Sequence, residues 1–189
     1  MRISCKGFKV YLDSIDDNDA EAIAGYSNDY EIASNIPNMP FPYTIGHALS
    51  FIDFAKLRCA ERADYHMAVR LQSGELVGMC AIANIDNTNM RAELGYWIGK
   101  RHWGKGYGKE AVRLMLNFAF ATLRLNRVCA KVLVGNERSI RLLGPLGFKK
   151  EGIAREGVFH MGKFMDDIAF SILRSEYNDS AKVGVEGYI

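Results

Sequence analysis

Apolar positions recur with a period of two over some stretches of the chain and near 3.6 over others, and the two patterns divide it into elements. Phe8, Val10 and Leu12 alternate with polar neighbours as a strand does, and the acidic run Asp13 to Asp19 offers N-caps to a helix over Ala20 to Tyr26. The proline-dense stretch Asn35 to Tyr43 excludes helix interior; Thr44 after it is placed to cap a second helix, whose buried stripe is Ala48, Leu49, Ile52 and Ala55. Tyr65, Met67, Val69 and Leu71 alternate, Ser73-Gly74 turns the chain, and Glu75 to Asn84 returns as the partner strand of a hairpin. From Arg91 to Gly99, Ala92, Leu94, Tyr96 and Ile98 fall on one face, while Glu93, Gly95 and Trp97 fall on the other. Ala111, Met115, Phe118 and Ala119 predict a helix from about Gly108 to Leu123. A strand over Val128 to Val134, a helix from Arg138 to near Gly147, and strands near Phe148 to Gly152 and Phe164 to Leu173 complete the chain.

The order β α α β β β α β α β β predicts an α+β fold, a mixed sheet with helices on its faces. No repeat or linker divides it, so residues 1–177 are expected to form one domain. The tail 178–189, ending in Tyr188 and Ile189, is expected to be loose, either disordered or packed on a partner. With 189 residues, 49% apolar and 24% charged, the chain can bury a proper core. Its formal net charge of +2 gives no global reason to expect nucleic-acid binding. Cys5, Cys59, Cys80 and Cys129 form no CxxC pair and have no histidine at ligand spacing, which predicts packed, reduced thiols and no metal site. The N-terminus has no apolar signal region and no apolar run is long enough to cross a bilayer; the expectation is a cytoplasmic protein without a membrane partner.

The chemistry concentrates in Arg101-His102-Trp103-Gly104-Lys105-Gly106-Tyr107-Gly108-Lys109-Glu110, between a strand and a helix. Three glycines at alternate positions let the backbone turn tightly and aim several N–H groups at one point, and the helix start adds its positive dipole end: an anion cradle. A nucleotide-hydrolysing Walker loop would need glycine at Trp103 and a hydroxyl residue at Glu110, and the dinucleotide fingerprint would need glycine at Lys109. Both readings fail. A plain glycine-rich connection is the alternative.

These residues resemble the pyrophosphate loop of the GNAT N-acetyltransferases, Arg or Gln, two residues, Gly, any residue, Gly or Ala, which Arg101, Gly104 and Gly106 match. The resemblance extends to Pro40 to Thr44, Glu93 to Ile98, Trp103 to Gly108, Asn136 with Ser139 to Leu143, Leu146 to Gly152, and Asp166, and it is similar to the RimJ/RimL-like branch, which includes ribosomal-protein N-terminal acetyltransferases. It implies a GNAT-type, mostly antiparallel central sheet with helices on both faces. A V-shaped splay would lie between the strand ending near Gly99 and the strand from Arg127, with acetyl-coenzyme A held there. Tyr96, Trp97 and Ile98, with a bulge at Gly95, would present backbone to the pantetheine arm; Arg101 and Trp103 to Lys109 would take the pyrophosphate, and Asn136 and Ser139 would approach the arm. The segment Met39 to Thr44 would wall the acceptor groove, with Phe41, Tyr43 and Trp97 shaping it.

The implied reaction is attack of a neutral amine on the thioester, which needs a base for the ammonium and a donor for the leaving thiolate. Deprotonating an α-amine at pH 7 costs about 1 kcal/mol and a lysine about 4.6 kcal/mol, so an α-amine asks less of the enzyme. Glu93, on the face of Trp97, is the candidate base; a solvated or salt-bridged strand carboxylate is the alternative. Many members of the family carry a tyrosine acid where this chain has Leu143, and Ser139, one turn earlier, is the substitute candidate, or else only a polar first-turn residue. Gly144-Pro145 also departs from the family pattern. His102 and His160 are read as carrying little weight, His102 as a solvated side chain. The preferred acceptor is a protein N-terminus, ribosomal or other. A small-molecule amine (aminoglycoside, polyamine or amino acid) is the alternative, as is a non-catalytic acyl-CoA-binding module. Monomer and homodimer stay open.

Overall fold

The computed structural model describes residues 1–179 and 181–188. The strands among them are β1 (Arg2–Cys5), β2 (Val10–Ser14), β3 (Tyr65–Leu71), β4 (Leu76–Asp86), β5 (Arg91–Ile98), β6 (Arg127–Leu133), β7 (Lys149–His160), β8 (Lys163–Leu173) and β9 (Val183–Glu186). They form one sheet in the order β7-β8-β6-β5-β4-β3-β2-β1-β9. Its neighbours are antiparallel except β5 and β6, so the mixed, mostly antiparallel sheet matches expectation.

Helices cover both faces because the strands expose apolar side chains on both. On one face α1 (Ala20–Ser27) and α3 (Ile45–Ala60), joined through the single turn α2 (Tyr30–Ala33), bury Ile23, Ala48, Ile52 and Ala55 against Ala68, Leu76 and Met79. Thr44 caps α3 as its position predicts: its Oγ1 accepts from the His47 N–H at 3.2 Å, and His47 Nδ1 accepts from the Thr44 N–H at 3.1 Å. On the other face α4 (Tyr107–Asn117) buries Ala111, Leu114 and Met115 against β-strand residues including Leu12, Met67 and Cys80. Each such large side chain, fully buried, contributes about 1.5–3 kcal/mol. After Asn117 the helix widens into a π-type turn over Phe118–Thr122, and α5 (Glu137–Leu143) follows β6 on the same face.

The feature that makes the site is the shortness of the β5/β6 ladder. Only Arg91, Ala92 and Glu93 pair with Arg127, Val128 and Cys129. Beyond them β5 stays paired with β4 as far as Ile98, and β6 stays paired with β8 as far as Leu133, so the two central strands diverge. The expected splay is present. The bulge expected at Gly95 is not: Ile82–Leu94, Ala81–Gly95 and Cys80–Tyr96 are in regular register, and the β4/β5 irregularity lies between Ala83 and Asp86. The free backbone of β5 comes from divergence of a whole strand, not from an inserted residue.

The described part of the tail is not loose. β9 pairs antiparallel with β1 along its length, and the Tyr188 ring packs at 5.4 Å from Phe118 and 6.0 Å from Tyr65. Asp179 anchors the approach: its carboxylate takes both Arg113 nitrogens at 2.6 and 2.7 Å, and that guanidinium holds its pKa down to about 2. Covering the bare edge of β1 and burying an aromatic ring outweigh the freedom of the chain end. Ile189 lies outside the described residues. No helix among those described is long and apolar enough to cross a membrane.

Candidate active site

Two cavities adjoin on the outer half of β5. The first, about 310 Å³, lies in the splay. Its walls are Leu94 to Ile98 of β5, Ala130 to Val132 of β6, Trp103, Gly104 and Gly106 to Lys109 of the loop, and Asn136, Ser139 and Leu142 around α5. The chain from Glu31 to Pro37 passes over it. Gly104 and Gly106 sit at φ of 76° and 85°, the left-handed region that a side chain resists, and nothing stands within 4 Å of where a Cβ would be. The loop therefore presents bare backbone to the cleft just where α4 begins. That helix start is fixed to the sheet by Glu110, whose Oε2 accepts from the Lys9 N–H at 2.7 Å and the Val10 N–H at 3.3 Å.

The loop is braced by its aromatic residues. Trp103 Nε1–H donates to the Ile98 carbonyl at 2.6 Å, and the Arg138 guanidinium stacks 3.3 Å from the Trp103 ring centroid. His102, expected to be solvated, is 6% exposed. Its Nε2 accepts from Arg101 Nε–H at 2.9 Å and lies 3.0 Å from the Tyr26 hydroxyl, so in the neutral ring the proton sits on Nδ1. Burial lowers its pKa, with Glu75 opposing. The reason for its burial is tertiary: α1 lays Tyr26 over the loop.

Some expected cofactor contacts are not brought together. Arg101 turns away from the cleft, its Nη2 donating to Glu75 Oε1 at 2.8 Å, and neither Arg101 nor Lys105 lines the cavity. A carboxylate within reach draws the guanidinium outward. Asn136 lines the cleft, but its Oδ1 accepts from the Ser139 N–H at 3.2 Å as the N-cap of α5. Leu143, at the family's tyrosine position, is wholly buried in the core, and Ser139 lines the cleft one turn before it.

The second cavity, about 280 Å³, lies on the α1/α3 face and shares Leu94 to Trp97 and Ile36 with the first. Its walls are chiefly apolar: Ile23, Met39, Tyr43, Phe51 and Met79, over a floor of Ala81, Ala83 and Gly95. Glu93 and Trp97 both line it, as their shared face predicts. Glu93 Oε2 accepts from Asn84 Nδ2 at 3.3 Å. Tyr43, 8% exposed, is in this wall, whereas Phe41 is 47% exposed and packs on Tyr30 at 5.6 Å, outside both cavities. His66 was not singled out from the sequence, yet it lines the cavity with Asp64 Oδ2 3.6 Å from its Nε2. Burial lowers its pKa against the pull of Asp64. The signal was there: His66 alternates with Tyr65 and Met67, which places it on the Glu93 face once the strands are in register. Among the described residues no group of histidine, cysteine or carboxylate side chains is arranged to hold a metal.

The site thus combines a cleft between diverging strands, a loop of bare backbone at a helix start and a second cavity reaching the same strand segment. Residues 9–149 match the acetyltransferase (GNAT) domain, and the chain belongs to that family. It is 36% identical over 160 residues to the uncharacterized N-acetyltransferase p20 of Bacillus licheniformis, covering 84% of this chain and 89% of that one. It is 30% identical over 104 residues to the [ribosomal protein uS5]-alanine N-acetyltransferase of Escherichia coli, covering 54% of each. The structure of spermidine N-acetyltransferase from Vibrio cholerae in complex with CoA and spermine superposes with a TM-score of 0.78 at 24% identity, covering 89% of this chain and 98% of that one. The protein is an acetyl-CoA-dependent N-acetyltransferase. The bare-backbone loop and the unpaired edge of β5 fit that coenzyme.

Proposed function

We propose that the acceptor is a protein N-terminal α-amine, seated in the second cavity with its first side chain against the apolar walls and its nitrogen toward the shared segment of β5. The observation that carries this is the make-up of that cavity: hydrophobic walls with one carboxylate, Glu93, among the lining residues. A single ammonium finds its partner there. A polyamine would bury a second or third ammonium against Met39, Phe51 and Met79 with no carboxylate to pair with it, at a cost of several kcal/mol.

In this reading Glu93 takes the proton of the acceptor ammonium, directly or through one water, and Trp97 holds the α-carbon side of the acceptor. The loop from Trp103 to Lys109 holds the pyrophosphate by its amides, Lys109 adding charge, and Tyr96, Trp97 and Ile98 offer their unpaired backbone to the pantetheine arm as a strand would. Ser139 faces the same cleft, near the reacting sulfur. The limited volume of the second cavity favours a second reading, a small amine enclosed whole.

A mixed acceptor panel decides between them. Peptides with free N-termini, the same peptides blocked but carrying lysine, spermidine, an aminoglycoside and free amino acids are incubated with acetyl-CoA, and thiol release and acceptor mass are followed. Acetylation of the free α-amine of peptides, with the blocked lysine peptides inert, is the expected result. Turnover confined to the polyamine, aminoglycoside or amino acids would overturn the proposal.

A further inference from the structure

Buried polar atoms in folded proteins almost always have a hydrogen-bond partner, because an unmade bond costs the desolvation of the group. Four buried side-chain atoms among the described residues have none: Ser27 Oγ, His66 Nε2, Tyr96 Oη and His102 Nδ1. All four belong to residues that line the two cavities, and of the four only Tyr96 lines both. Its strand neighbour offers nothing, since the opposed Cys80 is a buried thiol directed at the Ala111 carbonyl at 3.8 Å. Ser139 of α5 is beside the phenol without completing a hydrogen bond of good geometry. The end of α5 offers no hydroxyl either, since Leu143 there is fully buried.

We propose that Tyr96 is the catalytic hydrogen-bond donor to the departing coenzyme A sulfur, supplying from β5 the phenol that α5 lacks. The inference rests on the acetyl-transfer chemistry of the site and not on which amine is accepted. The acceptor nitrogen's lone pair forms the N–C bond, the C–S bond breaks, and its electron pair leaves on sulfur. Glu93, having passed the first proton of the ammonium on to solvent, takes the surplus proton that the nitrogen carries after attack, and the thiolate, held by the Tyr96 O–H, takes a proton from solvent on release. Tyr96 keeps its own proton. Burial pushes its pKa up to about 12, with Ser139 opposing, so handing the proton to a thiolate of ordinary basicity, near about 8.5, would be uphill by orders of magnitude. A donor that meets charge developing only as the bond breaks acts on the transition state and leaves the ground state nearly untouched.

The test is Tyr96→Phe, which removes one oxygen. The expected result is a fall in kcat of about tenfold or more, with KM for acetyl-CoA within about threefold. The melting temperature should be unchanged or higher, since an unpartnered hydroxyl is lost. An independent readout is the thiol of bound coenzyme A, titrated through the ultraviolet absorbance of its thiolate: it should ionise about one pH unit lower in the wild type than in the variant. Lys109, Lys131 and Arg138 line the same cleft in both proteins, so the difference isolates the hydroxyl. Equal thiol titration in the two proteins overturns the proposal even if kcat falls, because a structural role alone would leave the difference at zero. Wild-type kcat in the variant overturns it as well. If phenylalanine unsettles the sheet, Tyr96→Met carries the same comparison. Were the wild type neither to bind coenzyme A nor to release thiol, the acetyl-transfer reading itself would fall.

Discussion

The cleft in the splay and the second cavity, proposed to hold the coenzyme and the acceptor, share four residues of β5, Leu94 to Trp97, yet they are built by different means. The cleft is organised by backbone features, a diverging strand, a loop with two left-handed glycines and a helix start, with β6, α5 and the chain from Glu31 to Pro37 closing it. The cavity is side chains gathered from distant elements, Ile23 and Ser27 from α1, Phe51 from α3, His66 from β3, Met79 from β4 and Glu93 from β5. A site made of amides tolerates side-chain change and keeps one ligand. A site made of side chains is re-cut by each substitution, which is how one fold comes to serve different acceptors.

Four substitutions or conditions separate the two regions. Glu93→Gln should lower kcat by about a hundredfold or more, the usual scale for losing a general base, while coenzyme A affinity by calorimetry stays within twofold; unaltered turnover would remove Glu93 from the chemistry. Gly106→Val places a branched side chain at φ of 85°, a strain of about 1–2 kcal/mol, and should weaken coenzyme A binding about tenfold or more, leaving the acceptor's KM nearly unchanged. Ala81→Leu fills the floor of the second cavity and should raise acceptor KM several-fold with acetyl-CoA KM untouched. An equal effect of either variant on both ligands would show that the regions do not act separately.

The smallest effect concerns pH. His66 and His102 both have pKa values lowered by burial in the folded protein, so on acidification the unfolded chain, titrating near about 6.5, takes up protons first. Their contribution to stability is present above that value and is lost as pH falls through the folded pKa values. Melting temperature should drop between about pH 7 and pH 5, and the drop should be shallower in His66→Gln. A profile identical to wild type in that variant would break the assignment.

Legibility followed the same division. The strand pattern of Ala92 to Ile98, the glycine spacing from Gly104 to Gly108 and the Thr44 cap are local properties, and each appears where periodicity placed it. β1 and β9 were missed because they are four residues each and are set by pairing with distant chain, β1 between β2 and β9 and β9 on β1. β7 runs to His160, well beyond the expected end near Gly152, because it is solvated on both faces and carries no alternation to read. Its far end is held by a tertiary contact, His160 Nε2 at 3.0 Å from the Ala33 carbonyl. Arg101 and His102 were misplaced for a related reason: Glu75 and Tyr26, far off in sequence, decide where they point.

The three residue pairs that join β5 to β6 carry a mechanical consequence. The sheet is two leaves stitched at one corner, and a pantetheine arm lying along the open margin would act as the missing thread. The enzyme should accordingly stiffen when loaded, its melting temperature rising with the logarithm of coenzyme concentration, so that occupancy of the donor side readies the wall against which the acceptor docks.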